Sequence, residues 1–499
     1  MSVFFKDIST DNPVQKGDVE KLLEPLGLTI KAEESADYQR LLAAVHDCAT
    51  RIDSLPDYQP VPDTKRYPRE NVHIPTAEEQ EFGHAWAHRF LIRGDKSASD
   101  SSSVCLKGKT VCLKDCIAVA GVPQFFGSDA FPPWTPSTDA TVVTRVLDAG
   151  ADILGTATCE HFCNSTASFT SAQGTIENPY KEGYSTGGST SGGAALVCSG
   201  KIDIALGTDQ GGSIRVPASF CGCVGVKPTH GLVPFTGVTS GDAIDDHAGP
   251  ICRSVTEAAQ CLDVISGYDG IDDKSLGAAA HGSYNFSAAL SASSGRLDGF
   301  KIGLLREGFD QEIVDPKVKE HVLSAARKLE SLGAIVEDAR LPWIDSSFQK
   351  LFPSTKNTFI NGLYLSDKFP GLYSKTVNIG RQISDAYQRL TTNTAVFNVT
   401  GHPALSIPVG FVAAKDDAQV LLPVGMQIVG GLWQEKRILT IAHAWETNFD
   451  WKSVTNTTEA PESVPETLMT GSNVKVNGRT MPEVNGATSP NLKRVKLSV

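Results

Sequence analysis

Apolar positions recur at helical spacing through the first part of the chain. Val19, Leu22, Leu23 and Leu26 share one face, and Tyr38, Leu41, Leu42, Val45 and His46 share another. Pro75-Thr76-Ala-Glu-Glu adds a helix-start signal, so residues 17–93 read mostly as helices and 1–95 as an N-terminal helical arm. From about residue 104 the rhythm changes to short apolar runs alternating with amphipathic segments, as in 140–149 followed by 151–155, and 316–332 followed by 334–336. That alternation is the sequence form of βα units and predicts an α/β domain over 96–454, built on a mixed, mostly parallel central sheet covered by helices. A strand over 419–429 and a helix over 434–445 close it. Beyond Val454 the chain is rich in Thr, Ser, Asn, Pro, Glu and Gly, and 455–499 reads as a disordered tail.

Composition narrows the partners. The 499 residues are 40% hydrophobic, enough for a sizeable core, and 45 Lys and Arg against 57 Asp and Glu leave a net charge of −12. With no basic stripe before the last ten residues, the chain lacks the footprint needed to hold a phosphate backbone, which argues against nucleic acid. Asp7 and Asp11 come too early for a signal peptide, and no run of about 18 apolar residues occurs, so neither secretion nor a membrane span is expected. Eleven scattered cysteines, an odd number, read as reduced thiols of a cytoplasmic protein. Lys493-Arg494-Val-Lys496 is a candidate nuclear-import address.

The chemistry concentrates in 185–235. Ser185-Thr-Gly-Gly-Ser189-Thr-Ser-Gly-Gly precedes a small-residue helix and a short strand, which lead to Gly207-Thr-Asp-Gln-Gly-Gly-Ser213-Ile-Arg215-Val-Pro217. Paired glycines at element ends suggest a site made of main-chain N–H groups. No phosphate-loop or dinucleotide pattern is present, and G-x-S-x-G fails because Thr190 occupies the centre of 188–192. What remains is a serine beside consecutive donors, Gln210, Gly211, Gly212 and Ser213, as an oxyanion hole requires. Such a serine needs a base, and His161, His230 and His247 have no triad context. Lys114 is the stronger candidate. If 110–119 is a strand, Lys114 shares a face with Cys112, Cys116 and Ala118, and both faces are mostly apolar. Burial there would lower its pKa; a shift of about three units corresponds to ~4 kcal/mol.

These residues resemble the amidase-signature family. The likeness is carried by Ser189-Thr-Ser-Gly-Gly-Ala-Ala-Leu-Val, by 207–218, and by Val226-Lys-Pro-Thr-His-Gly-Leu-Val-Pro. Upstream, Leu113-Lys114-Asp115 with Gly121-Val-Pro and Gly127-Ser128 matches the family's lysine segment. The resemblance runs from roughly 107 to 270 and resumes at Asn398-Val-Thr-Gly-His-Pro-Ala and Pro423-Val-Gly-Met-Gln-Ile-Val-Gly. In wording it is nearest to nitrile-pathway amidases and their fungal relatives. It implies an amidase-signature fold hydrolysing a small carboxylic acid amide without cofactor or metal, with Ser213 as nucleophile, Ser189 as bridging serine after a cis Gly188–Ser189 peptide, and Lys114 as base. Thr190, Ser191, Asp209 and Arg215 are expected to support them. A homodimer formed through the N-terminal helices is a further expectation of the likeness.

Blander roles exist for each residue. Ser213 could be a turn serine, Ser189 a helix N-cap, Lys114 a surface lysine, and Asp209 with Arg215 an internal ion pair stiffening the loop. Cys159-Glu-His161-Phe-Cys163 with Cys112, Cys116, Cys221 and Cys223 follows no standard zinc spacing, and Ser347-Phe-Gln-Lys350 lacks the companions of a penicillin-binding-type site. One departure stands out. Segment 344–397 is several dozen residues shorter than its counterpart in members of this type, which usually carry a helix and a strand ending in a Pro-Thr-x-Pro-like motif there. The rival functions are an amidotransferase-type subunit of a complex and a catalytically impaired amidase-like scaffold.

Overall fold

The computed structural model describes residues 8–55, 60–97, 106–241, 245–311, 313–340, 391 and 393–454. The chain divides into two compact units, 1–60 and 61–499. The first carries the helices Asp18–Leu23 and Ser35–Asp53, joined by Ser35 Oγ donating to Glu20 Oε1 at 2.5 Å, while Asn12 Nδ2 donates to the Ala43 carbonyl at 2.7 Å. The longer helix buries Ala43 and Ala44 while Leu41, Val45 and Ile52 stand exposed.

The strands of the second unit are β1 (Glu70–His73), β2 (Trp86–Ile92), β3 (Thr110–Lys114), β4 (Asp152–Ala157), β5 (Glu177–Asn178), β6 (Lys181–Ser185) and β7 (Ile204–Thr208). They continue with β8 (Val224–Lys227), β9 (Ala248–Cys252), β10 (Lys301–Leu305), β11 (Ile335–Ala339), β12 (Ala404–Ala413) and β13 (Leu421–Val429). Nine form one mixed sheet, ordered β1-β2-β4-β3-β7-β9-β8-β12-β13, while β10 with β11 and β5 with β6 make two small pairs.

The sheet is mixed, as expected, but its pairing is mostly antiparallel. Parallel pairing joins β3 to β4 and to β7, and the other neighbours in the large sheet run antiparallel. Apolar runs buried on both faces look alike in either direction, which is why the pattern misled. A second difference lies in the expected helical arm. β1 and β2 join the large sheet, and the signal at Pro75 ends in a turn where Glu79 accepts from the Thr76 N–H at 2.9 Å. Residues 61–95 therefore belong to the sheet-bearing unit.

Local rules account for the elements that were anticipated. Helix Pro316–Lys328 starts on Asp315, whose side chain accepts from Lys317 N and Val318 N, and it buries His321, Val322, Ala325 and Ala326 on one stripe before Gly333 ends the turn at φ +100°. Helix Thr141–Asp148 precedes β4, and helix Glu435–Asn448 follows β13. The expected tail, its basic cluster and Ser347-Phe-Gln-Lys350 lie outside the described residues.

Candidate active site

Parallel strands align their carboxyl ends on one edge, and in α/β sheets that edge is where ligands bind. Here the edge gathers Lys114 at the end of β3, the 158–163 segment after β4, and the 209–215 loop after β7. β3 stops at Lys114, so the expected strand over 110–119 is half its predicted length; Cys116 nevertheless returns to the same spot, with Sγ 3.7 Å from Thr208 Oγ1. Lys114 is 1% exposed, which removes the surface-lysine reading. Its Nζ lies 2.7 Å from Ser189 Oγ, 2.7 Å from Thr208 Oγ1 and 3.3 Å from the Thr208 carbonyl.

Ser189 follows a cis Gly188–Ser189 peptide. Its carbonyl accepts from Glu160 N at 3.3 Å, and the next N–H, of Thr190, donates to the Ser213 carbonyl at 3.2 Å, so the two serine segments are stitched together. A Cβ at position 188 would stand 2.8 Å from Glu160 Cγ and 3.0 Å from the Ser165 carbonyl, which reserves that position for glycine. Ser191 begins helix Ser191–Cys198 and donates to Glu160 Oε1 at 2.8 Å. The N-cap of that helix is Thr190, so Ser189 is not its cap.

The 209–215 loop winds around Asp209. Oδ1 accepts from Gly212 N at 2.7 Å, Asn398 Nδ2 at 2.8 Å and Arg215 Nη2 at 2.8 Å; Oδ2 accepts from Ile214 N at 3.1 Å and Arg215 Nε at 3.0 Å. Arg215 reaches on to the Thr394 carbonyl, Gln427 Oε1 and Asn398 Oδ1. The pair is fully buried and ties down the loop, the internal role foreseen for it. One expectation needs correction: Gly212 N–H is spent on Asp209, so it is not a free oxyanion donor. The N–H groups of Gln210, Gly211 and Ser213 meet no acceptor among the described residues. Gly212 has φ +139°, and a Cβ there would strike Thr394 Oγ1 at 2.5 Å, while that hydroxyl donates to the Gly211 carbonyl at 2.5 Å.

Residues 85–360 match the Amidase family. An enantioselective amidase of Rhodococcus rhodochrous is 33% identical over 65% of this chain and 76% of its own length. The chain belongs to the amidase family. Among solved structures, a glutamyl-tRNA(Gln) amidotransferase subunit from Thermotoga maritima superposes with a TM-score of 0.57 at 28% identity, covering 71% of this chain and 86% of that one. A native peptide amidase from Stenotrophomonas maltophilia gives 0.53 at 26% identity over 68% and 82%.

The electrostatics of this amidase depart from the expectation of a neutral lysine. Burial pushes the Lys114 pKa down, but the Cys163, Cys116 and Cys159 sulfurs and Asp209 push it up and prevail, so it lies above the ordinary lysine value. Cys163 is held well below the usual thiol range by hydrogen bonds from Cys116 and Cys159 and by Lys114. Burial would raise the Asp209 pKa, yet Arg215 keeps it far below the carboxylate range. Burial lifts Asp115 to about 8; its Oδ2 accepts from Phe125 N and Phe126 N at 2.9 Å and shapes the turn before Gly127. Burial also raises Glu160.

The histidines serve elsewhere in the amidase. His161 Nε2 meets Ser128 Oγ at 3.2 Å, His247 Nδ1 meets the Asp245 carbonyl at 2.8 Å, and the His230 ring stands edge-on to His247. Among the described residues no three His, Cys, Asp or Glu side chains are placed to hold a metal ion, and no helix is long and apolar enough to cross a membrane. Sequence reasoning missed Thr208, Glu160, Thr394 and the part played by Asn398. Glu160 and Cys163 lie inside the very stretch weighed as a zinc motif; its acid and thiols line the lysine and serine segments instead.

Proposed function

We propose that this amidase hydrolyses a linear carboxylic acid amide to the acid and ammonia or amine through a Ser213 acyl-enzyme. The observation that carries the reading is the contact of buried Lys114 Nζ with Ser189 Oγ at 2.7 Å, in a segment hydrogen-bonded to Ser213. Lys114 Nζ donates to Ser189 Oγ, Thr208 Oγ1 and the Thr208 carbonyl while it is protonated; to act as base it must first give up the proton that its surroundings favour, and its lone pair then faces the Ser189 hydroxyl. Ser213 Oγ attacks the amide carbon while its proton passes to Ser189 and that of Ser189 to Lys114. The N–H groups of Gln210, Gly211 and Ser213 hold the oxyanion, the relay returns a proton to the departing nitrogen, and water releases the acid. No cofactor enters these steps.

Reaction with a fluorophosphonate probe tests the nucleophile: the wild type labels at Ser213, and labelling no better than that of Ser213→Ala would sink the reading and leave the scaffold role. A panel of aliphatic, aryl and indolic amides, scored by ammonia release, then defines the substrate. Similarity to the Thermotoga amidotransferase protein supports a second reading, an ammonia-handling component of a complex; co-purification of a stable partner chain would favour it.

A further inference from the structure

One residue of the nucleophile loop keeps two polar atoms unpartnered. Gln210 stands three positions before Ser213, and its main-chain N–H meets no acceptor among the described residues. Its side chain is held at one end only. Nε2 donates to Asp246 Oδ1 at 3.1 Å, whereas Oε1 is shut off from solvent and receives no donor among the described residues. Asp246, 3% exposed, is itself fixed from other sides: it accepts from Gly241 N at 3.1 Å, from Ser240 Oγ, and from Lys274 Nζ at 3.0 Å. A carboxylate only accepts, so the N–H end of the Gln210 amide must face it and the oxygen end must face elsewhere. The main chain adds a second tie. Asp209 N donates to the His247 carbonyl at 2.9 Å, which anchors the loop to the segment that carries Asp246. A buried acceptor left without a donor forfeits the water it gave up, and an oriented one beside the nucleophile is a place for a ligand's N–H.

We infer that Gln210 Oε1 accepts the N–H of the substrate amide and makes the site selective for amides that carry one. This rests on the Ser213 acyl-enzyme reading given above. An unsubstituted or singly substituted amide offers a carbonyl oxygen and an N–H donor. Gln210 offers the matching pair, its main-chain N–H for the oxygen as it becomes an oxyanion and its Oε1 for the hydrogen on nitrogen. The second bond acts on the step that breaks the C–N bond. As Ser213 Oγ adds to the carbonyl carbon, the nitrogen becomes pyramidal and gains a lone pair, and an N–H held by Oε1 keeps that lone pair turned to Ser189. Ser189 gives its proton to the nitrogen and recovers one from Lys114 while the C–N bond opens and the carbonyl re-forms, so ammonia or amine departs. The methyl ester of the same acid has no N–H. It leaves Oε1 unpaired and gains nothing from the residue.

Selectivity is the quantity to measure. The amide of the panel above that releases ammonia fastest is compared with two reactants that lack an N–H, the methyl ester of the same acid and the fluorophosphonate that labels Ser213. The kcat/KM of amide and ester and the rate of labelling are measured in wild type and in Gln210→Met, which keeps the length of the side chain and removes its acceptor. In the variant the amide value falls about 10–100-fold further than the ester value and the labelling rate. Gln210→Ala repeats the comparison, so a folding failure of one variant leaves the test standing, and the thermal transition of each confirms its fold. A side chain that merely supports the loop would lower all three rates together. An amide-to-ester and amide-to-labelling ratio that stays within about threefold of wild type in the folded variants therefore overturns the inference and leaves the acyl-enzyme reading intact. Failure of wild-type Ser213 to label, or of every amide to release ammonia, overturns that reading and this one with it.

Discussion

Two lysines of this amidase are equally buried and electrostatically opposite. Lys114 ends β3 and Lys227 ends β8, at 1% and 0% exposure. Lys227 Nζ donates to the carbonyls of Pro228 at 3.1 Å and His402 at 2.6 Å, with no carboxylate or thiol hydrogen-bonded to it among the described residues. Burial and then the charge of Arg215 hold its pKa well below the ordinary value, against the weaker pull of Asp209 and Glu435. Lys114 Nζ meets the Ser189 and Thr208 hydroxyls, and the Cys163, Cys116 and Cys159 sulfurs with Asp209 raise its pKa against burial. Loss of water is common to both. What differs is the charge that faces each amine, the Arg215 guanidinium at Lys227 and cysteine sulfurs at Lys114, so burial alone does not make a lysine a base.

The largest effect that bears on this contrast is chemical. Lys114→Met is expected to slow Ser213 labelling by about 10²–10⁴-fold while the protein stays folded, whereas Lys227→Met leaves labelling within a few-fold of wild type. A comparable loss in both variants would erase the distinction. Next comes the strap between the two lysines. Asp209→Asn leaves the Arg215 guanidinium without its carboxylate, and breaking a buried pair from one side costs about 3–5 kcal/mol, to be read from the denaturant midpoint.

Linkage gives the third effect a sign. Lys227 is depressed in the folded state, so the unfolded chain binds more protons between the folded value and about 10.4, and its contribution to stability rises with pH through that window. Lys114 is raised, so its contribution is complete below about 10.4 and is lost as pH climbs through the folded value. Stability measured against pH is expected to lose its upward slope in Lys227→Met and its alkaline decline in Lys114→Met; equal slopes in the two variants would contradict the comparison. The smallest effect concerns one acceptor. Thr208→Val removes a hydroxyl 2.7 Å from Lys114 Nζ and is expected to cost about 1 kcal/mol of stability, with labelling reduced several-fold.

Much of the site could be read from the chain because its parts are local. Ser189, Gln210, Gly211 and Ser213 lie in short glycine-punctuated runs whose spacing carries their geometry, and Lys114 stands out as a charge on an apolar strand. Gly212 was misjudged because the claim on its N–H comes from a side chain, Asp209, which the same loop folds inward. Thr394 and Asn398 were less legible as site residues: they come from nearly two hundred residues away to hold the Gly211 carbonyl and the Asp209–Arg215 pair, and sequence separation hides such contacts.

The chain by itself determined the kind of protein and the residues that meet: hydrophobic period, turn chemistry and motif spacing are properties of neighbours, and neighbours are what a sequence records. Strand direction, the membership of β1 and β2 in the sheet, and the surroundings that raise the Lys114 pKa were decided by tertiary structure alone. Each depends on what lies across a gap in space. An apolar strand pairs equally well with either partner orientation until the connections are drawn. A buried amine keeps or gives up its proton according to the sulfurs and carboxylates that other strands deliver to it.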